Sequence, residues 1–335
     1  MKRFVPVFIF IAVVTSCQLQ RVTVDLYSPP KLEYPPELRS LMVTSRYVPA
    51  TGIYEDVQWG SYESVDSVKW ALAESLVDSL AARIVEGNHF LVKIRHYPRM
   101  LRNNTDSLPE ALPWEGMVSL AKKEFVRGIL VLEGFDIRYK EETVSIPDKG
   151  FIATLRVEVI LAIRVYEPEK RRLVDEKIYT FSKSFKSTGK SPSEARSDLP
   201  DTHTSAVFAC SQAAADYAEL IRPDVITGDR VYYSKGDSLM RVADSAVQAG
   251  KWGRAEAKWN YEAYNAKDSL TRAKASFNMA LACEMDGRLN QAVGFARRSE
   301  MIRPDKKTRE YITLLEAKLA EYRKRVENGE IIRNW

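Results

Sequence analysis

The chain of 335 residues holds only three histidines, His89, His96 and His203. His89 and His96 bracket one expected strand at an odd separation, which would point them to opposite faces. No H-x-x-x-H or paired-cysteine spacing accompanies them, so they read as structural or surface side chains, and no metal or cofactor is expected. No G-x-S-x-G nucleophile turn occurs either. The stretch Ser184 to Ser191 ends in Gly189-Lys190-Ser191, as phosphate-binding loops do. Its first position is Ser184 rather than glycine, and a Ser/Pro-rich loop is expected after it in place of a helix, so the match reads as chance. Carboxylate pairs such as Glu141 with Glu142, or Asp56 with Glu63, occur on any surface of this size and distinguish nothing. No catalytic residue is expected and the chain reads as a non-enzyme. Tyr54, Trp59 and Tyr62 gather in one loop and form the candidate ligand loop, although anchoring the loop by half-buried aromatic area is the blander account.

The other reactive side chain is Cys17. Lys2 and Arg3 precede the apolar run Phe4 to Val14, and small residues then lead to the cysteine. That order is a secretory n-region, h-region and processing site. The run is too short to span a bilayer core as a helix, which takes about 20 residues. With cysteine directly after the small residues, the stretch resembles the bacterial lipoprotein signal. That resemblance implies cleavage before Cys17, diacylation of its sulfur and membrane attachment through two or three acyl chains. Gln18-Leu19-Gln20-Arg21 follows, without the aspartate that in known sorting rules favours inner-membrane retention and without the acidic cluster that favours surface display. The expectation is the outer membrane, facing the periplasm.

Removal of residues 1–17 lowers the formal charge from +5 to +3, with Lys and Arg scattered among the acids. A mild, dispersed surplus on an exported protein speaks for a solvated surface, and no nucleic-acid partner is expected. The remaining length predicts two domains. Cys210 and Cys283 fall on the apolar stripes of two helices in different domains, which predicts two buried free thiols.

The elements that must position these residues follow from periodicity. Strands are expected over Arg21 to Tyr27, Ser40 to Tyr47, His89 to Tyr97, Gly128 to Tyr139, Ile152 to Tyr166 and Leu173 to Phe185. The last two form a hairpin across Glu167 to Lys170. Pro29-Pro30 and Pro35-Pro36 give an extended connector. Helices are expected over Ser64 to Ile84, with Val65, Val68, Leu72, Leu76, Leu80 and Ile84 as its stripe, over Trp114 to Phe125, and over His203 to Ile221, with Val207, Cys210, Ala214, Tyr217 and Ile221 inward. Lys186 to Asp201 reads as loop and Pro223 to Tyr233 as a short extended piece. The order predicts an α+β domain over 18–234, a mostly antiparallel sheet with helices on one face. It is topologically similar to periplasmic lipoprotein domains of the curli-secretion and synthase-activator types.

From Asp237 on, the pattern is helical and repeats. Ala243, Gly250 and Ala255 recur as Ala280, Gly287 and Ala292, each 37 residues later. Trp259 follows in the first unit where the second has Ala296, and Pro304 closes the second unit. This pattern resembles the tetratricopeptide repeat. It implies a helical domain over 235–335, with Ala243, Ala255, Ala280 and Ala292 as the small positions where paired helices touch and Gly250 and Gly287 ending the first helix of each pair. It also implies a groove for a protein partner. The usual early tryptophan has no counterpart, and 37 residues exceed the family's usual length of about 34, which predicts a longer turn around Asn265 to Ser269. A capping helix is expected over 308–325, with Ile312, Leu315, Leu319 and Tyr322 on one face.

Asp-Ser-(small or aliphatic) motifs resemble the O-glycosylation signal of exported proteins in Bacteroidota, and Ser107 in a polar loop is the candidate site. The whole layout resembles an uncharacterised lipoprotein family of Bacteroidota with an N-terminal α/β domain and C-terminal tetratricopeptide-like helices. It implies a membrane-anchored, non-enzymatic scaffold with an envelope protein partner. A surface-exposed glycan- or nutrient-binding lipoprotein is the alternative.

Overall fold

The computed structural model describes residues 19–35, 37–47, 65–86, 89–95 and 108–334. In chain order the elements are β1 (Leu19–Ser28), β2 (Ser40–Ser45), α1 (Val65–Glu86), β3 (Leu91–Ile94), α2 (Trp114–Glu124), β4 (Gly128–Ile146), β5 (Gly150–Glu167) and β6 (Arg172–Gly189). They continue with α3 (Pro192–Ser197), α4 (Thr202–Ile221), β7 (Asp224–Tyr233), α5 (Ser238–Gln248), α6 (Trp252–Asn265), α7 (Ser269–Met285), α8 (Leu289–Ile302) and α9 (Lys306–Glu327). The fold class is α+β followed by an all-helical region.

Two compact units form, and the chain visits each twice. One comprises Pro29–Asp224 with Arg325–Trp335, and the other Val225–Lys324 with the strand at 19–28. A single cut between 234 and 235 is therefore not how contacts divide the chain. The reason is β1: it pairs with β7 in a two-stranded sheet, and its Val24 and Leu26 are buried with the helices of the second unit.

The first unit is built on a five-stranded sheet of order β3-β2-β4-β5-β6. β2 is parallel to both β3 and β4, while β4, β5 and β6 run antiparallel. Alternation sends Leu41, Val43, Leu130, Leu132, Ile163 and Val165 to one face, where α1 and α4 cover them. The stripe of α1 is as its spacing predicts, with Leu72, Leu76, Leu80 and Ile84 buried. On α4 the inward row is Ala206, Ala209, Cys210, Ala213, Ala214, Tyr217, Ala218 and Ile221, and Val207 is 42% exposed. Alanines form the contact because they let the helix lie close to its neighbours, so the larger Val207 turns outward. The element order predicts helices on one face only, and the structure corrects this, with α2 on the face opposite α1 and α4. Met42, Ile129, Val131 and Tyr166 alternate to the opposite side and bury Met117 and Ala121 of α2.

Two strands outrun their sequence signals. β4 continues past Tyr139 to Ile146 and β6 past Phe185 to Gly189, because β5 supplies backbone partners along the whole length. The β4–β5 turn is Pro147-Asp148-Lys149-Gly150, with Asp148 at φ 60° and Gly150 at φ 90°. Within the expected loop at 186–201 lies the six-residue helix α3. Ser191 accepts from the Glu194 N–H (3.2 Å) and Glu194 accepts from the Lys190 N–H (2.7 Å), a reciprocal cap. A helix thus does follow the phosphate-loop-like string, but the Lys190 and Glu194 N–H groups are already satisfied within it.

In the second unit α7 is the central rod. Thirteen of its residues from Thr271 to Glu284 are buried, as befits a helix enclosed on all sides. β1, α6 and α8 pack on it, and α5 packs on α6. Cys210 and Cys283 are both free and buried. Burial pushes both thiols up to about 12, which leaves them unreactive.

Candidate functional site

The helical unit is assembled from repeated end signals. Asp237, Asp268 and Asp305 begin α5, α7 and α9, their carboxylates accepting from the N–H groups of Leu239 and Met240, of Thr271, and of Thr308. Gly250 at φ 68° and Gly287 at φ 73° end α5 and α7 in one way. The Lys251 N–H reaches the Ala246 carbonyl at 2.8 Å and the Arg288 N–H reaches that of Cys283 at 2.9 Å. The glycine N–H groups bond Val247 and Glu284. Both are Schellman closures, which need a residue at positive φ. The extra length of the 37-residue offset is not in the turn after Asn265, which is three residues long. It lies in α7, which has 17 residues against 11 in α5.

The residues expected for repeat packing and a partner groove all pack the interior. Ala243, Ala255, Trp259, Ala280 and Ala292 are each 0% exposed. They set the distance between helices, and none presents a surface. Gly250 and Gly287 act on backbone geometry.

Polar side chains inside this unit are matched to the strands around α7. The Asn278 amide accepts from the Tyr233 N–H at 2.7 Å and donates to the Tyr233 carbonyl at 2.8 Å, standing in for a neighbouring strand. Glu284, 1% exposed, takes Arg230 at 2.6 and 2.8 Å, Lys318 at 2.6 Å and the Tyr311 hydroxyl at 2.7 Å. Burial alone would raise its carboxyl, but the donors from Arg230, Lys318 and Tyr311 outweigh it and hold it below the usual range.

The outward side of the second helices carries a different set. Tyr261 and Tyr264 of α6 are 56% and 55% exposed, and Met301 of α8 is 84% exposed. Tyr264 meets Phe295 of α8 edge-on at 6.3 Å between ring centres, and the Arg298 guanidinium lies 4.3 Å above the Tyr264 ring. Tyr261 stands three residues before Tyr264, and Met301 three after Arg298, so each shares the face of its neighbour. Sequence reading missed these five. Their i, i+3 spacing on α6 and α8 was the available signal, masked by the stronger small-residue repeat.

In the sheet unit, two buried polar constellations stand out. Asp175, 1% exposed, accepts from Tyr217 at 2.7 Å and Tyr179 at 3.0 Å, and the Tyr34 and Tyr217 hydroxyls are 2.7 Å apart. Burial raises the Asp175 carboxyl while the two phenols pull it back. The cluster borders an open cleft of about 400 Å³ that also takes in Lys177 and Asn334. Its carboxylate is taken up by phenols of the same unit, so it ties β6 to α4. The second constellation centres on Glu133, 0% exposed, which occupies the bulge between Leu132 and Gly134 in β4. It accepts from Arg46 at 2.6 Å, Arg164 at 3.3 Å and the Tyr166 hydroxyl at 2.9 Å.

Cys17, Tyr54, Trp59, Tyr62, His96 and Ser107 lie outside the described residues. His89 packs edge-on to Phe90 at 4.7 Å and His203 is exposed in the first turn of α4. Among the described residues no group of three His, Cys, Asp or Glu side chains converges for a metal, and no helix is long and apolar enough to cross a membrane.

A family described as a domain of unknown function (DUF8603) matches residues 44–233, more than half of the chain. The chain belongs to that family. A second family, also described as a domain of unknown function (DUF6340), matches residues 241–317, within the helical unit. No functionally curated protein matches. Among solved structures, the chain is similar to the 2.35 Å crystal structure of a minor lipoprotein from Acinetobacter baumannii. The identity is 10% and the TM-score 0.24, over 56% of this chain and 98% of that one. At that score the likeness carries no argument about fold or role.

Proposed function

We propose that this family member is a lipid-anchored, non-enzymatic lipoprotein of the cell envelope that docks a protein partner on its helical unit. Residues 1–17 support the anchor: charge, apolar length and the cysteine after small residues agree on acylation at Cys17, at the periplasmic face of the outer membrane. The observation that carries the docking role is the row of exposed Tyr261, Tyr264 and Met301 with half-buried Phe295 and Arg298 between them. Tyrosine, arginine and methionine are enriched where proteins bind one another, and an arginine already stacked on a tyrosine presents a rigid anchor at little entropic cost. The tetratricopeptide resemblance points to the same class of partner. The contact side moves from the groove to the outer face of α6 and α8.

Photo-crosslinking in living cells from position 264 of the full chain tests this reading. A discrete envelope protein should be captured, and capture should fall at least tenfold when Tyr261 and Arg298 are both changed to alanine. Equal capture by that variant, or none by the parent, overturns the docking role. Incorporation of labelled palmitate that persists in Cys17→Ser would overturn the anchor.

A further inference from the structure

On the α2 side of the sheet, Thr44, Ser45, Arg46, Leu112, Met117 and Ile129 line a cavity of about 10 Å³, room for one water-sized particle. Thr44 on β2 and Arg46, one residue past the strand's end and still bonded through its N–H to the Leu132 carbonyl at 2.8 Å, are each 5% exposed and lie two apart in extended chain, so their side chains share that face. The Thr44 hydroxyl and the Arg46 Nε–H both lack a hydrogen-bond partner. A buried guanidinium N–H without an acceptor loses its hydration with nothing in exchange, so the fold leaves a strong donor directed at nothing among the described residues. The other side chains named on the wall are apolar apart from Ser45, whose hydroxyl accepts from the Tyr47 N–H at 3.1 Å.

Charge decides what fills the space. Arg46 and Arg164 are both buried, and Glu133 is the fully buried carboxylate that they share. Glu176, the second partner of Arg164, has 42% of its side chain exposed, so water already screens it. The dry part of the cluster thus holds two guanidinium groups around one carboxylate. We propose that this cavity is a site for a single halide ion, chloride in solution, held by the Arg46 Nε–H and the Thr44 hydroxyl. Sulfate and phosphate are too large for it. Water is the competing occupant, since it can accept from the Arg46 Nε–H and donate to the Thr44 hydroxyl oxygen; the excess of buried positive charge is what favours the anion over it.

Thermal unfolding of the full chain in detergent tests the site, at constant ionic strength, with sodium gluconate replaced stepwise by sodium chloride or bromide. A ligand that binds only the folded state raises Tm in proportion to the logarithm of its concentration above Kd. A rise of about 2 °C or more is expected for a chain of this size at tens of Kd, with none in sulfate. Thr44→Val keeps the shape and removes one donor, so the halide-dependent rise should shrink while Tm in gluconate stays near the parent's. Bromide-soaked crystals give a reading that needs no variant: an anomalous peak within hydrogen-bond distance of Arg46 Nε. Equal Tm in halide and gluconate, or an ordered water in place of the peak, overturns the proposal.

Discussion

Glu262 shows how one side chain can make the helical unit sensitive to pH. It sits on α6 at 3% exposure, one of its oxygens has no partner, and the Asp237 carboxylate that begins α5 is its neighbour. Burial, then the hydrogen bond and charge of Asp237, push its carboxyl up to about 7 from an ordinary 4.5. A carboxyl whose folded pKa is raised binds its proton more tightly in the native state. Stability is therefore highest below about 4.5 and declines as pH rises from there through 7. The loss is on the order of 1–3 kcal/mol. Glu262→Gln keeps the protonated shape at every pH. Its Tm should match the parent at pH 5 and exceed it at pH 8, and a constant difference between the two would refute the assignment. Glu262 gave no sign in the sequence: it is one acid among 45. Only folding brings a second carboxylate to it and takes the water away.

At the scale of elements, the sequence was most legible where a local rule acts alone. The α1 stripe, the β5–β6 hairpin and the two glycine stops read out directly, because period and left-handed φ are written in neighbouring residues. Elements held by distant partners were less legible. The polar run after Tyr139 gives β4 no burial signal, yet the ladder to β5 carries the strand on to Ile146. α7 is enclosed by its neighbours α6 and α8 and by the distant β1, and its own string carries no mark of that enclosure, which is why the 37-residue offset predicts a longer turn instead. The cap of α3 was written locally, as Ser191-x-x-Glu194, and was passed over. The glycine stops yield a clean test. A Cβ on Gly287 would meet nothing nearer than the Tyr27 carbonyl at 4.0 Å, so Gly287→Ala costs only the strain of φ 73°. That is about 1 kcal/mol. Asp268→Ala removes the cap of the same helix for a further loss of about 1 kcal/mol. The two ends of α7 are far enough apart for the effects to add in denaturant unfolding. A silent Gly287→Ala would mean that the closure is not needed.

For the whole molecule, the order of segments matters more than the repeat. A chain that leaves a unit and returns to it closes that unit only when both segments are present. Ile332 pairs with the strand-like segment at Leu32, its N–H on the Lys31 carbonyl at 2.7 Å and its carbonyl accepting from Glu33 at 2.9 Å, so the last residues belong to the sheet unit. Tyr232, 0% exposed, joins Gln20 and Asp244 through its hydroxyl at 2.7 Å each, so strands at both ends of the sheet unit's sequence belong to the helical one. Hydropathy could not reveal this, because a strand of alternating residues is the same string whichever core receives it. The consequence is that a fragment over 235–335, which the repeat pattern alone would mark as a domain, lacks Val24, Leu26 and Tyr232 from its core. It also lacks Arg230, whose charge compensates the buried Glu284. Lys318 stays in the fragment, 2.6 Å from Glu284 in the full chain, so the carboxylate keeps one of its two cations and the apolar loss is the larger one. Far-UV circular dichroism of that fragment should show a broad, early melt. In the full chain Glu284→Gln should destabilise, because Arg230, Lys318 and Tyr311 all lose an ionised acceptor. An early melt of the fragment beside a sharp one of the full chain would establish that the strands complete the helical unit. A fragment melting as sharply as the full chain would show that the repeats stand alone.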